Sequence, residues 1–278
     1  MLGSVEEEGY LRHIRACRNI LLPGARLAFW LGGQQVGWVV QPLAAALRTR
    51  TQITEDSRGL NLTDPAALQR ISQDLAGQGF FRWRGEAFDV RATPDGPVLA
   101  QLDRGALPAF GVETLGVHLN GIVRRADGLH LWVARRAANK ALDPGRLDHL
   151  VAGGVSAGLS PAAALIKEAA EEAAIPAELA ARARHVGLVS YTMERPEGLR
   201  RDRLYCYDLD LPEGFCPVAA DGEVESFELW PIDRVQEAVR DGEKFKFNVP
   251  LVLIDFFLRH GLVAGAVAAR LRQALDTP

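Results

Sequence analysis

Residues 160–176 read SPAAALIKEAAEEAAIP, and both ends of this stretch specify a helix. Ser160 offers an oxygen to the unpaired first-turn amides, Pro161 has the backbone angle of a first helical residue, and Pro176 forbids continuation just beyond Ile175. At about 100° per residue, Leu165, Ile166, Ala169, Ala170 and Ala173 fall on one arc, with Lys167, Glu168, Glu171 and Glu172 on the opposite one. One arc is core and the other acidic, so the stretch is expected at the surface of a packed layer.

The acidic arc is poorly arranged for a helix with no further role. Glu168 and Glu172 repel across one turn at a cost of a few tenths of a kcal/mol, and all three glutamates lie toward the negative end of the helix dipole. A merely solvated helix would gain from exchanging them. Clustered carboxylate oxygens are what a hard divalent cation selects when a phosphate completes its shell. The preceding loop, VAGGVSAGLSP, carries Gly153, Gly154 and Gly158, which let backbone approach a metal–phosphate centre closely.

Residues 1–112 read as a mixed unit. A helix over GYLRHIRACRNI precedes the strand-like runs RLAFWLGG and QQVGWVVQP, joined at Gly32 and Gly33, and a second helix starts at Asp64 and Pro65. FRWRGEAFDVRAT and VLAQLDR add two strand candidates, and glycine and proline cluster in GALPAFG (105–111), where the unit ends. Residues 113–278 open with GVHLNGIV and LHLWVARR around a turn at Asp127 and Gly128. A long loop, AANKALDPGRLDHL, leads to the glycines and the acidic helix. HVGLVSYTM, RLYCYDLDL and EVESFELW then read as strands, and IDRVQEAVRDG and VPLVLIDFFLRHG as helices, giving a mixed sheet with helices packed on it.

The 278 residues, 48% hydrophobic and 24% charged, suffice for one large or two medium domains. A formal net charge of -3 supplies no broad field for nucleic acid or an anionic membrane, so phosphate recognition must be local. Cys17, Cys206 and Cys216 are odd in number and lack C-x-x-C spacing, which argues against a disulfide framework or structural zinc and for a reducing cytoplasm. MLGSVEEEGYLRH has no signal-peptide core, and the longest apolar run, LVLIDFFL, is interrupted by Asp255, so neither export nor a membrane span is expected.

The stretch GGVSAGLSPAAALIKEAAEEAAI resembles the Nudix box, G-x5-E-x7-R-E-U-x-E-E-x-G-U, the signature of the Nudix hydrolases. Gly153 matches the first glycine, and Glu168, Glu171 and Glu172 match three metal-binding glutamates. Leu159, Lys167 and Ala174 depart from the first glutamate, the arginine and the last glycine. The first departure removes a residue that helps hold the loop, and Lys167 is a point charge where arginine would form a fork. Over nearly the whole chain the sequence is similar to Nudix proteins with an extra N-terminal domain related to the segment fused to thiamine pyrophosphokinase in some fungi. FRWRGEAFDV, FGVETLGVHLNGIV, LWVARRAANKALDPGRLDHLVAGG, DGEVESFELW and FKFNVPLVLIDFFLRHG carry that likeness.

The resemblance implies an α+β protein, a Nudix α/β/α sandwich with a mixed sheet (113–278) behind a smaller α+β domain (1–112). It implies a pyrophosphohydrolase cutting thiamine diphosphate, or its oxidised or damaged analogues, to the monophosphate and phosphate. A nucleoside diphosphate derivative such as ADP-ribose is the alternative substrate, and a non-catalytic sensing module the alternative role. Mg2+ or Mn2+ on Glu168, Glu171 and Glu172 would neutralise the diphosphate and activate a water for in-line attack. Glu223, preferred to Glu225 on the same side of a strand, is expected to complete a metal shell or take a proton.

Arg135 and Lys140 match the subfamily pattern and are expected to reach the phosphates, with Gly153 and Gly154 lining the approach. Arg200, Arg201 and Arg203 form a second basic cluster on an expected loop. His118 and the groups Trp83, Phe110, Tyr191 and Met193 are candidates for the organic part of the substrate. The N-terminal unit has no phosphate loop, triad or metal cluster of its own. Shaping the pocket, pairing into a homodimer and capping are the roles open to it, and the frequency of ligands in inter-domain clefts favours the first.

Overall fold

A computed structural model describes residues 5–277; Met1–Ser4 and Pro278, the extremes of the two expected units, lie outside the described residues. The chain begins with α1 (Val5–Ala16), β1 (Leu27–Leu31) and β2 (Gln34–Val39). α2 (Gln41–Arg48), β3 (Ile53–Asp56), β4 (Gly59–Leu62) and α3 (Leu68–Gly77) follow, then β5 (Ala87–Val90), β6 (Ala100–Asp103) and the short α4 (Leu107–Phe110). The β1–β2 turn uses Gly32 and Gly33 at φ of 52° and 82°, angles that glycine adopts without steric cost. Asp64 accepts from the Ala66 amide at 3.1 Å, and Pro65 opens a 3-10 turn leading into α3. The strands order as β2-β1-β4-β3, with β1 and β4 parallel, while β5 and β6 form a separate hairpin. Phe29, Leu31, Leu60, Leu62, Leu68 and Phe110 are at the centre of this core.

The second unit comprises β7 (Glu113–Arg125), β8 (Gly128–Arg136), β9 (Leu147–Asp148), β10 (Val151–Gly154), α5 (Pro161–Ala173), α6 (Ala177–Ala180), β11 (Arg184–Arg195), β12 (Gly198–Asp210), β13 (Val224–Pro231), α7 (Ile232–Arg240), α8 (Val249–Arg259) and α9 (Gly265–Asp276). The main strand order is β11-β12-β7-β8-β13, with β10 paired to β7 and β9 to β8. β7 and β12 run parallel and the other pairings are antiparallel, so the sheet is mixed, as expected. On one face α5 and α6 bury Val117, Leu119, Leu150 and Leu209; on the other, α7, α8 and α9 bury Ile122, Leu131, Val189 and Leu204. This is the α/β/α sandwich.

Helix α1, counted by sequence with the first unit, packs in the second. Tyr10 and Ile14 are buried against α8 and α9, Tyr10 meets Phe257 edge-on at 6.1 Å between ring centres, and Glu7 ion-pairs with Arg270. Its apolar face has its partners there, beyond the sequence-assigned boundary. A second difference concerns residues 199–203, expected as a basic loop. They lie in β12, where parallel pairing to β7 begins at Arg201 opposite Glu113. The two units meet at Gly111, at φ 57°, where an added Cβ would lie 2.9 Å from Leu199 Cδ2 of β12. Arg201 donates to the Gly111 carbonyl at 3.1 Å. No described helix is long and apolar enough to cross a membrane.

Candidate active site

The acidic helix is built as its ends require. Ser160 accepts from the Ala163 amide at 3.2 Å, and Ala174 closes the C-terminus in the left-handed conformation at φ 52°, which costs an alanine roughly 1–2 kcal/mol. Leu165, Ala169 and Ala173 are buried as expected and Ile166 is half-buried, but Ala170 is exposed, while Ala164 is buried and Glu172 is turned inward. The cause is a backbone amide. Ala152 of β10 donates its N–H to Glu172 Oε2 at 3.0 Å, satisfying a group that would otherwise be left unpaired at the sheet surface.

Glu172 is 7% exposed, and its carboxyl is pushed up to about 8. Burial is the largest cause, opposed by the Ala152 hydrogen bond and reinforced by the charges of Asp148, Glu168 and Glu223. Burial also raises Glu168, against the nearby Lys167 ammonium, which donates to Glu168 at 3.1 Å. Gly153 makes room for Glu168, since an added Cβ would lie 2.4 Å from Glu168 Cγ. Gly154 instead faces the first domain, where a Cβ would lie 2.5 Å from Phe88 Cζ. Glu171 is at the solvent rim, half-exposed and paired with Lys167.

Glu223 pairs with Lys140. Burial would raise its carboxyl, but hydrogen bonding to Lys140 and the charges of Lys140, Arg104 and Arg136 together hold it below the ordinary range. The fold therefore brings Glu168, Glu172, Glu223 and Lys140 into one electrostatic neighbourhood. These donors fit a divalent cation: a carboxyl kept protonated first by burial and then by the carboxylates around it, and a glycine cradle that leaves room for a second carboxylate.

Several expected site residues lie elsewhere. Arg135 donates to the Gly145 carbonyl at 3.1 Å, bracing the loop between β8 and β9. His118 is sealed in the interior at 3% exposure, its Nδ1 2.8 Å from His149 Nδ1, among Asp148, Arg136 and Lys246. Phe110, Tyr191 and Met193 are core residues, and Trp83 is half-buried. Arg200 pairs with Asp202 at 3.0 Å and Arg203 with Glu113 at 3.6 Å, so these cations serve the sheet, as Arg201 serves the domain junction.

Beneath the site is a buried polar group of which sequence reasoning singled out His118 but not Asp148, His149 or Lys246. Asp148 pairs with Arg136 at 2.8 Å and with Lys246 at 3.6 Å. Burial opposes its ionisation, yet the cations Lys246 and Arg136 hold its carboxyl down to about 2. Burial pushes His149 down to about 4 and His118 well below its ordinary value. His118, Asp148 and His149 present ligand atoms within 4.8 Å of one another, but Asp148 is already neutralised by two protein cations. The signal was present in RLDHL and FKFN, where ionisable residues interrupt apolar runs. Glu86 and Arg104, from the first domain, were missed as well.

Residues 115–249 match the NUDIX domain model, and residues 9–114 match a domain of unknown function (DUF4743). Nudix hydrolase 24, chloroplastic, of Arabidopsis thaliana is 36% identical over 274 residues, covering 94% of this chain and 75% of that protein. Nudix hydrolase 20, chloroplastic, of the same plant is 46% identical over 180 residues; that match covers 65% of this chain but 48%, about half, of the plant protein's length. Among solved structures, DR0079 from Deinococcus radiodurans aligns with a TM-score of 0.44 and 20% identity, over 68% of this chain and 99% of that one. With a relative of this identity aligned along most of both sequences, and a Nudix domain following a DUF4743 domain, the chain belongs to the Nudix hydrolase family.

Proposed function

We propose that this protein is a divalent-metal-dependent diphosphohydrolase whose substrate is thiamine diphosphate, or an oxidised or damaged analogue, released as the monophosphate and phosphate. Glu172 carries the reading: a carboxyl buried against the Ala152 amide, among other carboxylates, whose ionisation a bound cation would favour. Glu168, Glu171 and Glu172 would hold Mg2+ or Mn2+, which when bound neutralises diphosphate oxygens and lowers the pKa of a water. The Ala152 amide orients Glu172, and Gly153 allows Glu168 to lie over β10. Glu223, held below the ordinary carboxylate range beside Lys140, would take a proton, and Lys140 would supply a cation for the phosphates; their pairing supports this reading. The thiamine class rests on the whole-chain resemblance to proteins related to the thiamine pyrophosphokinase fusions. Free Cys17, Cys206 and Cys216 support a reducing compartment, for which we propose the cytoplasm.

The test is product analysis with Mg2+ on a panel of thiamine diphosphate, its oxidised form, ADP-ribose and simple nucleoside diphosphates. The thiamine compounds are expected to give the highest kcat/KM, and Glu172→Gln to lower it by at least about 100-fold, the upper range for disturbing a metal site's support. A preference for ADP-ribose would reassign the substrate. Turnover absent from wild type and Glu172→Gln alike would leave a sensing module in place of an enzyme.

A further inference from the structure

The loop between β10 and α5 follows directly on Gly153, the β10 residue that cradles Glu168, yet it has few polar anchors of its own. Position 159, where the box pattern has its first glutamate, is Leu159, whose side chain packs on the apolar layer beneath α5. The anchors come from the other domain. Ser156 donates its hydroxyl to Glu86 Oε1 at 2.8 Å, the Ala157 amide donates to the Ala87 carbonyl at 2.8 Å, and the Gly158 amide donates to Asp89 Oδ2 at 3.2 Å. Phe88, between these residues, fills the space over Gly154 so completely that a methyl group there would collide with its ring.

The hairpin that provides these contacts is itself held rigidly. Asp103 is 1% exposed and accepts from the amides of Arg84, Gly85 and Gly105 at 2.9, 2.7 and 2.8 Å. Phe88 belongs to the core of the first domain, and Arg104 fixes the second oxygen of Glu86 at 2.8 Å. A continuous line of contacts thus runs from that core through β5 to residues 154–158, and from there to Gly153 and Glu168.

We propose that the β5–β6 hairpin holds this loop in the shape that metal binding needs, with Glu86 as the positioning residue replacing a glutamate that the loop itself lacks. The inference rests on the metal-site reading above. Glu86 holds the loop through Ser156, and Ser156→Ala, which leaves the charge of Glu86 near Glu168 in place, separates that role from a direct electrostatic one. Its removal loosens the loop and weakens cation binding by lost preorganisation, while the acidic ligands themselves are unchanged.

The test uses the full chain and Mn2+ alone as probe. Amide hydrogen exchange over residues 154–158 and calorimetric Mn2+ affinity are measured for wild type, Glu86→Gln, Ser156→Ala, the double variant, and Glu55→Gln on β3 as a distant control. Glu86→Gln is expected to speed exchange in the loop and weaken Mn2+ binding about 10- to 100-fold, the range for losing an outer support of a metal site. Ser156→Ala should do less, the double variant no more than Glu86→Gln alone, and Glu55→Gln neither. Unfolding midpoints monitor global folding, and Ser156→Ala, which removes one hydroxyl, keeps the test decisive if Glu86→Gln destabilises the domain. Wild type binding Mn2+ while exchange or affinity is unaltered in both Glu86→Gln and Ser156→Ala overturns the inference alone. Wild type taking up no Mn2+ overturns the metal-site reading and the inference with it.

Discussion

Two kinds of buried residue load the pH dependence of the metal-free fold in opposite directions. Glu172, pushed up to about 8 from an ordinary 4.5, keeps its proton in the fold where the unfolded chain gives it up. Its stabilising contribution is complete below the unfolded value and is lost as pH rises toward the folded one. His118 and His149 are pushed down, His149 from 6.5 to about 4, so the unfolded chain takes up protons that the fold refuses, and stability falls as pH drops through that window. Urea unfolding with a chelator should therefore find Glu172→Gln gaining on wild type as pH rises from about 5 to about 8, with the acid loss kept by both. Parallel profiles over that range would contradict the assignment. That a carboxylate cluster existed was legible in LIKEAAEEAAI, but the inward turn of Glu172 was not. Glu172 lies at the border of the two arcs, and an unpaired amide on β10, distant in sequence, decides its direction.

At the level of elements, α5 was legible because its signals are local: Ser160 and Pro161 at one end, Pro176 beyond the other. Its weak point is also local. Ala174 occupies a left-handed position that glycine would fill without strain, so Ala174→Gly is expected to stabilise the protein by about 0.5–1 kcal/mol, after the greater unfolded-state entropy of glycine is deducted. A denaturation midpoint that is unchanged or lowered would contradict this. The arginines of 199–203 disguised a strand as a loop, because the Arg203 pair to Glu113 forms only once β12 lies beside β7 and the Arg200 pair to Asp202 forms within the extended strand. Short elements such as α2, β3 and β4 were missed for a related reason, being held by the first domain's core more than by their own periodicity. Helix α9 was missed although its Leu271 and Leu275 are buried, because its apolar face becomes evident only beside α1 and α8.

Across the whole molecule, the first helix closes the core of the second domain while the β5–β6 hairpin grips the loop before α5, so the chain crosses the domain boundary twice. A truncation to residues 113–278 removes more than an accessory domain. It uncovers the surface covered by Tyr10 and Ile14, and burying Ile14 alone contributes about 2 kcal/mol to a fold whose net stability is on the order of 5–15 kcal/mol. The truncated chain is expected to melt well below the full protein, and a version carrying residues 5–18 on a flexible linker to recover a substantial part of the loss; equal melting of both truncated forms would contradict the packing assigned to α1. Everything proposed about activity depends on the glutamates of α5 holding a divalent cation. Anomalous diffraction from crystals equilibrated with Mn2+ tests this most directly. The account predicts a peak within bonding reach of the Glu168 and Glu172 carboxylates; an empty site there at saturating Mn2+, or a peak at His118, Asp148 and His149 instead, would contradict it.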